Sequence, residues 1–193
     1  MRLIAISVLL IFLSSCRKDT SHILDSHEEW GPYNPTRYFF PEAFSNFPTA
    51  PEPEWNLTTV EGVQLGRSLY YDPILSTNGK SCSSCHIQGF AFSVPNLGPN
   101  GMSIPSHVNM AWNSNFGWTG SEKTLDSVAL ADLVEGNIFL NANNDSILAR
   151  LERHTEYPKL FWQAFGIEIV KESLAERQKY ISYALAQFMR TQI

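Results

Sequence analysis

Cys82-Ser83-Ser84-Cys85-His86 constrains this chain more than any other stretch. Two cysteines separated by two residues, with a histidine directly after, form the attachment pattern of c-type haem. The spacing answers to the chemistry. Two thiols add across the two vinyl groups of the porphyrin, and His86 is then placed beneath the iron as its proximal ligand. A thioredoxin-like dithiol is the main competing reading, but it needs a βαβ context that the flanking sequence lacks, and it leaves His86 incidental. Zinc is the next, and a structural site would need a second Cys or His pair, which does not follow.

The chain has three cysteines, and the third, Cys16, closes the segment Leu13-Ser14-Ser15-Cys16. Before it lie Arg2 and an apolar stretch over residues 3–13, too short to span a bilayer and patterned as the core of a secretory signal. A Leu, two small residues and a Cys resemble a bacterial lipobox. Residues 1–15 are therefore expected to be removed, with Cys16 lipidated as the first mature residue; an ordinary signal peptide with an incidental Cys is the alternative. Lipidation adds about 0.8 kcal/mol per buried CH₂, and more than one acyl chain makes anchoring stable. All three cysteines then have roles and none remains for a disulfide. The expected location is the bacterial cell envelope, on the periplasmic or outer surface, which is where c-type haem is attached.

With 193 residues, 44% of them hydrophobic, the chain can hold one core and hardly two. Its formal charge of −5 comes without the basic patches that nucleic-acid binding requires, so no nucleic-acid partner is expected. The acidity suits docking to a basic electron-transfer partner.

Residues 16–53 read as a polar tether followed by an arm rich in Pro and aromatics, including Trp30, Tyr33, Tyr38, Phe39, Phe40, Phe44 and Phe47, expected to lie across the domain surface. From residue 54 to 193 the patterns are helical. A first helix is predicted over 58–71, with Thr58 and Glu61 as a capping box and Val60, Val63, Leu65 and Leu69 facing inward. A helical turn is predicted over 82–87. Further helices are predicted over 122–133, 145–154 and 158–165, the last stopping at Gly166. The final one, over 173–190, has Ser173 and Glu176 as a second box and a stripe of Leu174, Ile181, Leu185 and Phe188, and would span about 27 Å. Residues 89–120, rich in Gly, Pro, Asn and Ser, form a long irregular loop of the length that function demands, and covering a haem is such a function. No strand signal is convincing. The predicted class is all-α: a cytochrome c-like haem domain with long irregular loops.

Several ordered segments carry a resemblance. Leu65-Gly66-Arg67-Ser68-Leu69-Tyr70-Tyr71-Asp72-Pro73 leads into the haem motif, and Phe90-Ala91-Phe92-Ser93 follows it. Then come Pro105-Ser106-His107-Val108-Asn109, Ala111-Trp112-Asn113, Trp118 with Gly120, and finally Ala184-Leu185-Ala186-Gln187-Phe188-Met189-Arg190-Thr191. Together they resemble the N-terminal haem domain of the bacterial di-haem cytochrome c peroxidase and MauG family, over roughly residues 56–193. The resemblance implies one covalent haem c on Cys82 and Cys85 with His86 on the iron. It also implies reduction of hydrogen peroxide with electrons from a small donor cytochrome or a second haem domain. That second domain is expected to be absent from this chain or supplied separately.

The departures from the family pattern bear on activity. Phe139-Leu140 stands where the family places its acid/base Glu, and Glu135, four residues earlier, is the nearby carboxylate. Thr119 and Ser121 replace the Asp and Arg of the family's F-W-D-G-R motif, while Pro95 or Asn96 stands where a loop His can ligate iron. The resemblance implies a calcium ion too, with Ser103 in place of an Asn ligand. Met102 is a candidate sixth iron ligand, against simple packing. His107 is a second candidate distal ligand, against a satisfied loop histidine. Trp118 is either a step on an electron path at the haem edge or a core residue. Peroxide reduction is the leading function, and a mono-haem electron-transfer lipoprotein without peroxidase activity, or a residual half-protein, is the alternative.

Overall fold

The computed structural model describes residues 29–41, 48–98, 101, 103–134 and 145–193. Its framework starts at Thr59, whose side-chain oxygen accepts the Gly62 N–H at 3.0 Å and so caps helix α1, Val60–Tyr71. The helix ends where Asp72 meets Pro73, because a residue before proline is driven out of helical geometry. Leu65, Leu69 and Tyr70 are all but completely buried along one face. Gly62 and Gly66 lie on the face turned to the C-terminal helix. A Cβ on Gly66 would collide with the Ala184 carbonyl, and one on Gly62 with the Gln187 amide. These two glycines let the backbones of the first and last helices approach to near contact.

Among the described residues four more α-helices follow: α2, Leu125–Val134; α3, Asp145–Arg153; α4, Tyr157–Phe165; and α5, Leu174–Arg190. Gly166 ends α4 with a left-handed φ of +67°, its N–H returning to Trp162 O at 2.8 Å. Ser173 caps α5 by accepting the Glu176 N–H at 3.3 Å, while the Glu176 carboxylate pairs with Lys179. Helix α5 is the centre of the packing, with α1 along one side and α2 along another, and α4 lies against α1. Its buried stripe begins at Ile181 and takes in Leu185 and Phe188; Leu174, expected on that stripe, is 42% exposed at the helix entrance. Among the described residues there is no β-strand, and the three β-bridges are isolated. The all-α expectation holds.

One predicted cap is displaced. The arm runs back over the start of α1, pairing Arg37 with Thr59 in an antiparallel bridge through Tyr38 N to Thr58 O (3.1 Å) and Val60 N to Thr36 O (2.9 Å). That pairing holds Thr59 itself in extended backbone (φ −123°, ψ 157°), so the helix begins one residue later than expected and the cap falls to Thr59. Glu61 does not close a box; it accepts from the Thr36 N–H at 2.7 Å and its hydroxyl at 3.0 Å. Further back, Trp162 donates its indole N–H to Gly31 O at 2.8 Å, and the Tyr33 ring covers Gly166. The described part of the arm therefore lies on the domain, as expected.

Where α1, α2 and α5 meet, a polar knot is buried. Asn56 donates to Asp126 Oδ1 at 2.5 Å and accepts from Gln187 at 2.8 Å. Arg190 donates to Asn56 O at 2.8 Å and to Asp126 Oδ1 at 3.3 Å. Its side chain is 2% exposed. Each buried polar atom in this knot thereby gains a partner, which burial demands.

Candidate haem-binding site

The motif begins on a tight turn. Residues Cys82–Ser84 form a 3₁₀ turn, and Cys82 O accepts from both the Cys85 N–H (3.2 Å) and the His86 N–H (2.9 Å). The intervening serines serve the turn: Ser84 Oγ accepts the Ser81 N–H at 3.0 Å, and the Ser81 and Ser83 hydroxyls lie 2.7 Å apart. In 3₁₀ geometry side chains three residues apart eclipse one another, so Cys82 and Cys85 share one side of the turn. The two thiols are half-buried and not joined as a disulfide.

His86 is oriented by the loop that follows. Its Nδ1 is 3.0 Å from Phe92 O, which fixes the N–H on Nδ1 and leaves the Nε2 lone pair for a metal. Burial pulls its pKa below the ordinary histidine value, opposed by the carbonyls of Phe92 and Pro105. The neutral, ligating form is favoured. The loop carrying Phe92 is bent by two successive non-glycine residues in the left-handed region, Ala91 (φ +56°) and Phe92 (φ +54°). It is stitched by Ile87 N to Ser93 O at 2.9 Å, Ser106 Oγ to Ala91 O at 2.5 Å and Ser93 Oγ to Ile104 O at 2.6 Å.

His107 lies on the near side of His86. Its ring stacks on the His86 ring with centroids 3.5 Å apart and planes inclined by 22°. Its Nδ1 is 3.0 Å from the hydroxyl of Tyr70, and its backbone N–H donates to Phe92 O at 3.4 Å. Burial first, and the neighbouring His86 second, lower its pKa to about 3, so the ring stays neutral at ordinary pH. Two axial ligands face each other across a metal with a bond of about 2 Å on each side. Rings stacked in van der Waals contact do not fit that arrangement. The expectation of His107 as a distal ligand is therefore corrected: it backs His86.

Trp118 is 64% exposed, on a turn behind Gly117, which removes its core-packing alternative. Ile87, Phe90 and Leu97, in and after the motif, are exposed as well. Two cysteines on one side of a turn and outside any disulfide, a histidine with its Nδ1 tied to a carbonyl, and apolar side chains left at the surface together fit a covalently held porphyrin. Ser103, in the place of the family's calcium-site Asn, is exposed. Met102, Glu135, Phe139, Leu140 and Cys16 lie outside the described residues. Two participants escaped the sequence: Tyr70, which stands in the lead-in segment without a role of its own, and the Phe92 carbonyl, which no side-chain pattern can announce.

The family model for the di-haem cytochrome c peroxidases matches residues 60–193. The methylamine utilization protein MauG of Methylophilus methylotrophus is 30% identical over 179 residues, covering 89% of this chain and 50% of that protein. Cytochrome c peroxidase Ccp of Escherichia coli is 29% identical over 146 residues, 69% of this chain and 31% of that one. Among solved structures, a MauG-like protein associated with microbial copper homeostasis superposes with a TM-score of 0.66 at 30% identity, covering 80% of this chain and 47% of the other. The chain thus spans at most half the length of these relatives. By its sequence, its helical framework and the ordered motifs along it, the chain belongs to the di-haem cytochrome c peroxidase family.

Proposed function

We propose that this chain is a c-type haem oxidoreductase module that reduces hydrogen peroxide, with electrons supplied by a small cytochrome or by a second haem domain. The observation that carries the proposal is the pairing of Cys82 and Cys85 on one turn with a His86 whose Nδ1 is tied to the Phe92 carbonyl. When bound, the haem supplies a redox-active iron able to exchange single electrons and to meet peroxide. The protein's part is to hold and orient. Cys82 and Cys85 would fix the porphyrin through thioethers, His86 would ligate the iron, and Phe92 O holds the His86 proton on Nδ1. Exposed Trp118 supports an electron entry at the surface of the module.

A second reading, a mono-haem electron carrier, is favoured by Thr119 and Ser121 in the places of the family's Asp and Arg, and by Phe139 in the place of its acid/base. General acid/base catalysis contributes typically about 10²–10⁴-fold. Peroxide consumption by the holoprotein with a reduced donor cytochrome should accordingly be slow, and Phe139→Glu should accelerate it. Fast turnover by the unmodified protein would mean that another group, Glu135 first, serves as acid/base. Inactivity of both versions, with a six-coordinate low-spin spectrum, would support the carrier and point to Met102 as the ligand.

Anchoring through a lipid on Cys16 is the second part of the proposal. Among the described residues no helix is long and apolar enough to cross a membrane. Membrane affinity would then reside in the acyl chains, and Cys16→Ser should move the protein from the membrane to the soluble fraction after cell breakage. Retention of that variant with the membranes would refute the anchor.

A further inference from the structure

Contacts at the edge of an imidazole do not by themselves fix its plane. The Phe92 and Pro105 carbonyls hold His86 by its edge, about which the ring can still rock. The His107 ring, flat against it at 3.5 Å, removes this freedom. His107 is itself held twice, by its backbone N–H on Phe92 O at 3.4 Å and by the Tyr70 hydroxyl on its Nδ1 at 3.0 Å. A phenol is a stronger acid than a neutral imidazole N–H, so Tyr70 is the donor in this bond. Tyr70 in turn is 1% exposed on α1, with the rings of Phe188 at 5.0 Å, Tyr71 at 5.4 Å and Phe92 at 6.0 Å around it. A rigid line of contacts therefore runs from the packed helices α1 and α5 to the face of the ligand.

We infer that Tyr70 and His107 are positioning residues for His86, together setting the plane in which its imidazole meets the haem iron and the polarity beside that ligand. The inference rests on His86 being the proximal ligand. Neither residue touches peroxide or the reacting atoms; both act through His86. A ligand held in one plane gives the iron one orbital splitting, and a polar ring beside it favours the more charged ferric state over the ferrous one.

The test uses the holoprotein with His107→Leu, His107→Phe and Tyr70→Phe, read by electron paramagnetic resonance of the ferric cyanide adduct and by spectroelectrochemical midpoint potential. His107→Leu should change the g-value spread and raise the midpoint potential, since both the stack and the polar neighbour are lost. Tyr70→Phe keeps the packing and removes only the tether of His107, so it should shift both signals the same way by less. His107→Phe restores a flat ring and should bring the g-values back toward the parent while leaving the potential raised. Parental g-values and potential in both His107→Leu and Tyr70→Phe, at full haem content, would overturn the inference. Should His107→Leu fail to fold, the isosteric Tyr70→Phe decides by the same two signals. A parent protein whose haem lacks histidine ligation would instead overturn the assignment of His86, a separate outcome.

Discussion

Replacing both Cys82 and Cys85 with Ala should abolish haem staining of the denatured chain completely. Thioether bonds survive detergent and heat, whereas a bond from His86 to iron would be lost when the protein unfolds. The stain after denaturing electrophoresis therefore reports the two sulfurs alone. Each single replacement leaves one thioether and should keep the stain. The same experiment, run after expression in a host with a c-haem maturation system, separates haem from a redox dithiol. Thioether sulfurs do not react with thiol reagents, whereas a dithiol at these positions would titrate two thiols and carry no stain. Covalent haem in the double variant would remove the central assignment.

Arg190→Leu should cost about 3–5 kcal/mol of stability, the usual cost of leaving one member of a buried ion pair without its partner. The side chains of Arg190 and Asp126 are 2% and 9% exposed, so water cannot replace what is lost. Burial pulls the Arg190 pKa down while Asp126 and Glu52 oppose that pull, which marks the knot as a place where charge is held against desolvation. Removing the guanidinium also strips the donor from Asn56 O and leaves Asp126 with the Asn56 amide and, at 3.3 Å, the Trp55 indole. For a domain of this size the loss corresponds to a fall in Tm of about 10 °C. Urea unfolding followed by circular dichroism measures it, and a loss under about 1 kcal/mol would show that the knot is not a stabilising element. Adding Asp126→Leu to Arg190→Leu should recover part of the loss, because an apolar pair is better buried than a lone carboxylate.

The Cys82–His86 pattern can be read without tertiary context because the spacing that haem attachment requires is local to the chain. The limits of α4 and α5 were legible for a similar reason: Gly166 and Ser173 terminate or start a helix through bonds made within a few residues. The cap of α1 was not, since the choice between Thr58 and Thr59 is made by the arm about twenty residues earlier in the chain. His107 shows the same limit at the site. Its partner Tyr70 is 37 residues away, and sequence spacing has no means of saying on which side of His86 a loop histidine falls. The left-handed pair Ala91 and Phe92 was equally invisible, because neither residue type advertises positive φ as Gly or Asn would.

That pair gives the site a latch. Each non-glycine residue in the left-handed region sits uphill by about 1–2 kcal/mol, so the loop stays bent while its stitches to Ile87, Ile104 and Ser106 hold. Once they part, relaxation of Ala91 and Phe92 is downhill and carries the Phe92 carbonyl away from His86 and from the His107 N–H together. The histidine then loses its tautomer control, and the ring behind it loses one of its two tethers, in one movement. Damage in residues 103–106 would thus produce two discrete populations of the ligand, latched and released, in place of a single softened one.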